Sequence, residues 1–303
     1  MKVFILGSEG FIGSHLVRFF LKKGYTVFGC DLYESPRRGV YTYFKVSRLS
    51  PEWEEIFSTN TFDYCINASG SGNVPFSMTH PFADFESNAL DVIRVLDGIR
   101  RLMPGCRYLH ISSAAVYGNP KNLPVREEDI LHPLSPYGWH KLASEQICRE
   151  YHEIYKLAIA IVRPFSVYGS GLNKQLLWDV CKKLRNEDKV TLYGTGKESR
   201  DFIHIEDLCA LLEIIIHKSS FALDVYNAAN GKQVSIQSIV NLLHGFFESS
   251  KEMHFSGDQR AGDPLNWVAD ITKITALGYR PAITLEQGIQ QYVQYFNGQS
   301  LQQ

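Results

Sequence analysis

The chain has 303 residues, with 31 Lys and Arg against 32 Asp and Glu, a formal net charge of −1. That balance argues against a general nucleic-acid or polyanion binder, which carries a basic excess. Hydrophobic residues make up 45%, enough to bury a sizeable core, and the length suits two domains or one large α/β unit.

MKVFILGSEG breaks from a short apolar run into a glycine-rich turn. It therefore reads as strand and loop rather than signal peptide. KVFILG is the first strand, FIGSHLVRFFLKKG an amphipathic helix closed by Gly24, and YTVFGCD the second strand. Residues 32–50 show no clear pattern. PEWEEIFS places proline at a helix start, and FDYCINAS is a strand. From Phe82 to Met103 apolar residues recur at helical spacing through Phe85, Ala89, Val92, Leu96 and Ile99. RYLHISS is a strand, SPYGWHKLASEQICREYHEIY a helix and LAIAIVRP a strand. Beyond Pro164 the order loosens: a helix near 173–186, VTLYG, RDFIHIEDL, another helix, a strand at DVYNAA, then helices at 235–247 and 284–297. Throughout-apolar strands separated by helices predict an α/β fold. Its doubly wound, Rossmann-type parallel sheet is covered on both faces, with a smaller interleaved α/β lobe. No stretch reaches the roughly 18 apolar residues of a spanning helix. Cys30, Cys65, Cys106, Cys148, Cys181 and Cys209 form no CxxC pair and read as buried free thiols of a cytoplasmic protein.

GSEGFIG sets Gly7, Gly10 and Gly13 after the first strand and at the start of a helix. Gly7 permits a tight turn, Gly10 lets a pyrophosphate approach the backbone, and Gly13 lets helix and sheet pack closely. Phe11 and Ile12 belong to the helix N-terminus that faces the phosphates. Asp31 ends the second strand, where an acid bonds the adenosine ribose and repels a 2′-phosphate, so NAD is favoured over NADP. Arg37 and Arg38 follow closely and read as a solvated loop pair. We expect a dinucleotide-binding domain of residues 1–165 plus about 200–230, and a substrate lobe of about 166–199 plus 231–303.

Tyr137 and Lys141, in SPYGWHK, lie four apart on one helix face. A tyrosine hydroxyl titrates near 10 when unperturbed, and a neighbouring ammonium lowers that value. Ser113, ending the preceding strand, can bond the same substrate oxygen. The three make a proton relay for an alcohol or ketone beside a nicotinamide that exchanges hydride.

GSEGFIG, SSAAVYG, SPYGWHK, VRPFSVYG, SRDFIHIEDL, YNAANGKQVSI and RAGDP together resemble the extended short-chain dehydrogenase/reductases, specifically the nucleotide-sugar epimerases and dehydratases. The resemblance covers nearly the whole chain. It implies NAD in the first lobe and a nucleotide-diphosphate sugar in the second, with Tyr137 as base, Lys141 also touching the nicotinamide ribose, and Ser113 beside them. It adds Ser112 and Pro164 to the cofactor pocket. Toward substrate it implies Asn88 near the sugar or cofactor, Ser166 at a position that usually contacts the diphosphate, Arg200 on the diphosphate, Arg260 and Asp263 near diphosphate and ribose, and Leu176 and Leu177 near the base. His204 reads as a structural hydrogen-bonder. No histidines pair with cysteine or carboxylate at metal-ligand spacing.

Three departures stand out. Dehydratases of this family carry an acid after the serine or threonine, whereas this chain has Ala114 and Ala115, which can neither protonate a leaving hydroxyl nor remove a C5 proton. Ser166 replaces the usual asparagine of the VYG stretch, and Ser47 stands where an acid often meets the adenine. The leading expectation is an epimerase working through a 4-keto intermediate. A nucleotide-diphosphate 4-keto-6-deoxysugar reductase using external NAD(P)H is the alternative, and a non-catalytic dinucleotide-binding regulator is a third of another class. The long helices at 82–103 and 135–155 suit a homodimer contact. No nucleic-acid or membrane partner is expected.

Overall fold

The computed structural model describes residues 1–34, 39–48, 53–258 and 262–299. Seven strands form one sheet: β1 (Lys2–Leu6), β2 (Thr26–Asp31), β3 (Thr42–Lys45), β4 (Tyr64–Asn67), β5 (Arg107–Ile111), β6 (Ile159–Pro164) and β7 (Ala222–Ala228). Their order is β7-β6-β5-β4-β1-β2-β3, and every neighbouring pair is parallel. The order reverses between β1 and β4, so the crevice beyond the carboxyl ends of these strands is where such sheets bind ligands. β3 falls in the stretch that carried no pattern. Its register, Phe28 to Thr42 through Asp31 to Lys45, is set by pairing with β2 rather than by local alternation.

Two apolar clusters cover the sheet. One packs Leu16, Val17 and Phe20 of the helix Phe11–Lys22 and the helix Ile205–Lys218 on one face. The other packs Trp53, Ile56, Val92, Leu96 and Ile99 on the opposite face. A third core, separate from these, lies among the helices Gln175–Asn186, Ile236–Phe246 and Leu285–Gly298 and includes Leu177, Val180, Ile239, Ile289 and Phe296. Short strands tie this region to the sheet: Ser166–Tyr168 pairs with Phe202–His204, and Val234–Ser235 with Ser199–Arg200. All six cysteines are buried free thiols, and among the described residues no helix is long and apolar enough to cross a membrane.

The helical run from Phe82 is corrected in one respect. A helix at Pro81–Phe85 passes through a π-helical turn at Glu86–Leu90 before the helix Asp91–Leu102. The wider turn inserts a residue into the helical phase. Ala89, Val92, Leu96 and Ile99 therefore face the core, while Phe85 is left 38% exposed.

Candidate active site

At the carboxyl end of β1 the backbone reverses through Gly7, whose φ is +73°. The Gly7 and Ser8 amides donate to the Cys30 carbonyl at 2.9 and 3.1 Å, and the Gly10 amide donates to the Gly7 carbonyl at 3.0 Å. A β-carbon at Gly13 would lie 2.0 Å from the Gly7 carbonyl oxygen, and one at Gly7 would lie 2.8 Å from the Ser69 α-carbon. Only glycine allows this closure. The helix beginning at Phe11 has no side-chain cap and no acid in its first turn. The first-turn amides of Phe11, Ile12 and Gly13 therefore lack helical acceptors and suit a dinucleotide pyrophosphate. Asp31 ends β2, its carboxylate accepting the Leu32 amide at 2.7 Å and the Glu9 amide at 3.1 Å. The donor set and the cradle thus fit NAD. Arg37 and Arg38 lie outside the described residues. Ser47 is exposed just past β3.

β5 delivers the two serines. Ser112 is buried and donates to Glu145 Oε1 at 2.5 Å. Ser113 accepts the Ala115 amide at 3.1 Å, which starts a short 3-10 turn, Ala114–Tyr117. Ala114 is fully buried in an apolar cluster with Val116, Phe165 and Trp267, so no acid could sit there without being desolvated. The helix Pro136–Tyr155 is capped by Ser135, whose hydroxyl accepts the Gly138 amide at 3.2 Å, with Pro136 at its first position. A β-carbon on Gly138 would come within 2.8 Å of the Ala115 carbonyl. That glycine brings the first turn of the helix against the serine loop, and with it Tyr137 and Lys141.

Tyr137 is half-buried beside the Ser113 hydroxyl. The structure corrects the expected fall in its proton affinity. Burial pushes the Tyr137 hydroxyl up, the Ser113 hydroxyl opposes this, and the nearby Asp84 charge adds to the rise. The Lys141 ammonium, only 4% exposed, instead donates to the Ile111 carbonyl at 2.7 Å. Burial lowers it to about 8, against the charges of Glu145 and Asp84.

The remaining expected residues lie on several other elements. Pro164 is buried at the end of β6, paired with Ala228, and Ser166 is half-buried in the next strand, its amide donating to the Asp201 carbonyl at 2.9 Å. Asn88 lies in the π turn, 1% exposed. Its Nδ2 donates to the Ser71 carbonyl at 3.2 Å, while its Oδ1 has no partner among the described residues. Gly70 has no side chain where a β-carbon would meet that oxygen at 2.5 Å. Arg200 donates to the Ser199 carbonyl at 2.9 Å and lies over the Trp267 ring; burial lowers its proton affinity, opposed by the charges of Asp263 and Glu198. Arg200 and Asp263 are therefore close, and Arg260 lies outside the described residues. Leu176 is half-buried and Leu177 packs into the third core, leaving only its backbone for a ligand. His204 caps a helix by accepting the Glu206 amide at 3.3 Å, the structural part expected of it.

Two buried assemblies escaped the sequence analysis. Asp84, fully buried, accepts from His140 Nδ1 at 2.6 Å, beside Tyr137 and Lys141. Behind Ser112, Glu145 is held by Arg163 through two bonds of 2.9 and 2.7 Å, and Arg163 also donates to the Tyr117 hydroxyl at 2.8 Å. Among the described residues no cluster of His, Cys, Asp and Glu could hold a metal.

The family model for the NAD dependent epimerase/dehydratase family matches residues 3–229. A UDP-glucose 4-epimerase 4 from Oryza sativa subsp. japonica is 30% identical over 79% of this chain and 74% of its own length. A UDP-glucuronate 4-epimerase from Thermodesulfobacterium geofontis is 25% identical, over 96% of this chain and 94% of its own. A crystal structure of UDP-glucuronic acid 4-epimerase from Bacillus cereus, in complex with UDP-glucuronic acid and NAD, is 27% identical with a TM-score of 0.89, covering 98% of this chain and 99% of that one. With the glycine cradle at β1 and the serine, tyrosine and lysine gathered at the end of β5, the chain belongs to the NAD dependent epimerase/dehydratase family.

Proposed function

We propose that this protein is an NAD-dependent 4-epimerase of nucleotide-diphosphate sugars, with UDP as the nucleotide. The observation that carries the reading is the Ser113–Tyr137 contact with Lys141 buried on the same helix face, next to two alanines where an elimination would need an acid and a base. NAD, when bound, supplies the hydride acceptor and returns the hydride. Tyr137 takes the proton of the sugar 4-hydroxyl as C4 is oxidised, and gives it back when the 4-keto sugar has turned over in the pocket. Ser113, beside the Tyr137 hydroxyl, reaches the same sugar oxygen. The Lys141 ammonium favours the Tyr137 phenolate that accepts this proton and that re-forms when the proton is returned. Arg200 grips the diphosphate with its forked guanidinium, and Asn88 and Ser166 line the sugar side. We assign the glycine cradle and Asp31 to the cofactor domain of residues 1–165 plus about 200–230, and the remainder to the sugar nucleotide. Ala114 and Ala115 leave 4,6-dehydration without its acid and base.

Exposed apolar side chains on two adjoining helices support a homodimer. Trp139 (51% exposed) and Ile154 (63% exposed) lie on the helix Pro136–Tyr155, and Phe82 (73% exposed) lies on the adjoining helix. A second copy of this chain would cover them, and a monomeric mass in solution at micromolar concentration would refute that.

The function is tested by denaturing the purified protein and identifying any released dinucleotide by chromatography. Near-stoichiometric NAD or NADH is expected, because an internal redox cycle keeps its cofactor. A protein empty of dinucleotide would overturn the epimerase reading in favour of a 4-ketoreductase that exchanges cofactor at every turnover.

A further inference from the structure

Asp31 has an acidic neighbour that the glycine motif itself supplies. Glu9 is the residue before Gly10 in GSEGFIG, and its amide donates to Asp31 Oδ2 at 3.1 Å, so the two residues share one edge of the cradle. The Glu9 carboxylate is held in place from β3's approach: the Tyr41 hydroxyl donates to Glu9 Oε1 at 2.6 Å, and the Ser8 hydroxyl lies 2.9 Å from the same Tyr41 oxygen. The arrangement depends on Gly29 in β2. A β-carbon there would sit 2.6 Å from Ser8 Cβ and 2.9 Å from Tyr41 Cε2, so only glycine lets the Tyr41 ring lie across the strand and reach the loop. Tyr41 is 8% exposed, and the contact is therefore built into the core edge rather than made by a loose surface side chain. Burial and then the Asp31 charge raise the Tyr43 hydroxyl, with Tyr41 and Glu9 among the further causes, which puts both carboxylates near this one corner.

We propose that Glu9, oriented by Tyr41, is a second specificity-determining acid for the dinucleotide, excluding a 2′-phosphate from the adenosine ribose edge where Asp31 already stands. The inference rests on the cofactor reading above and deepens it. A ribose hydroxyl can donate to a carboxylate, whereas a 2′-phosphate carries about −1.5 to −2 charges at neutral pH and can only be repelled. Two fixed carboxylates on one edge oppose it more strongly than one, and neither changes the contacts available to a free 2′-hydroxyl.

The test titrates the full chain, stripped of resident dinucleotide, with NADH and NADPH, following nicotinamide fluorescence. Wild type should bind NADH far more tightly. Glu9→Gln should narrow the ratio of the two Kd values by about tenfold, the worth of one lost like-charge contact, through tighter NADPH and with NADH little changed. Glu9→Lys should narrow it further. If Asp31→Asn moves the ratio and both Glu9 variants leave it at the wild-type value, Glu9 does not face the 2′ position and the inference is overturned. If wild type binds neither dinucleotide, the cofactor reading beneath it fails as well.

Discussion

Arg163→Met breaks the buried pair behind the serine loop at its most connected member. The guanidinium makes two bonds to Glu145, of 2.9 and 2.7 Å, one of 2.8 Å to the Tyr117 hydroxyl and one of 2.9 Å to the Glu127 carbonyl. Removing it leaves the Glu145 carboxylate, 4% exposed, with only the Ser112 hydroxyl and the more distant Lys141 charge. Breaking such a pair from one side costs roughly 3–5 kcal/mol, because a buried charge is left uncompensated. The double variant Glu145→Leu, Arg163→Met removes both charges and fills the space with apolar atoms. Tyr117 keeps its bond to Asn227 at 2.7 Å, so beyond the Glu127 contact that Arg163→Met also loses, the main loss is the Ser112 hydroxyl's acceptor, about 1–3 kcal/mol. The double variant should therefore be more stable than Arg163→Met alone. Urea unfolding followed by circular dichroism measures both. A double variant destabilised by the sum of the two singles would refute the reasoning, since it would mean that each residue contributes through separate packing rather than through their mutual charge.

Tyr137→Phe should lose about 10²–10⁴-fold in turnover with the fold intact, as expected for a removed general base; near-wild-type rates in a sugar-nucleotide assay would show that it is not the base. Gly13→Ala drives a methyl to 2.0 Å from the Gly7 carbonyl, and should cost at least 1–3 kcal/mol of stability and most of the bound dinucleotide, read by thermal unfolding and cofactor content. The Lys141 ammonium, lowered to about 8 by burial, is protonated below that value and neutral above it. Lys141 is proposed to favour the Tyr137 phenolate in its charged form, so kcat/KM should fall as pH rises through about 8, and a profile that stays flat across the alkaline range would contradict that role.

The nucleotide end was legible because its demands are local. Three glycines, a strand before them and a helix after them are contiguous, and Asp31 follows at the end of the next strand. Tyr137 and Lys141 were legible for the same reason, one helical turn apart. What escaped was set by distant partners. Thr42–Lys45 becomes a strand because β2 offers an edge, not because its own residues alternate. The π turn at Glu86–Leu90 shifts the helical phase, exposing Phe85 and burying Asn88, and no residue type announces it. Asp84 meets His140 across 56 positions, and Glu145 meets Arg163 across 18 and from a different element. The direction of the Tyr137 shift was missed because the Lys141 ammonium turns to the Ile111 carbonyl, leaving burial and the unforeseen Asp84 charge to dominate.

An epimerase is set apart from a reductase most directly by hydride that leaves and returns to the same sugar carbon within one bound cofactor. A panel of UDP-glucose, UDP-N-acetylglucosamine and UDP-glucuronate, incubated with the purified protein and no added dinucleotide, identifies the sugar turned over, and that sugar is then supplied with deuterium at C4. The 4-epimer should form with the deuterium still on C4. Deuterium lost to solvent, or no epimer from any of the three sugars, would rule out this internal hydride cycle.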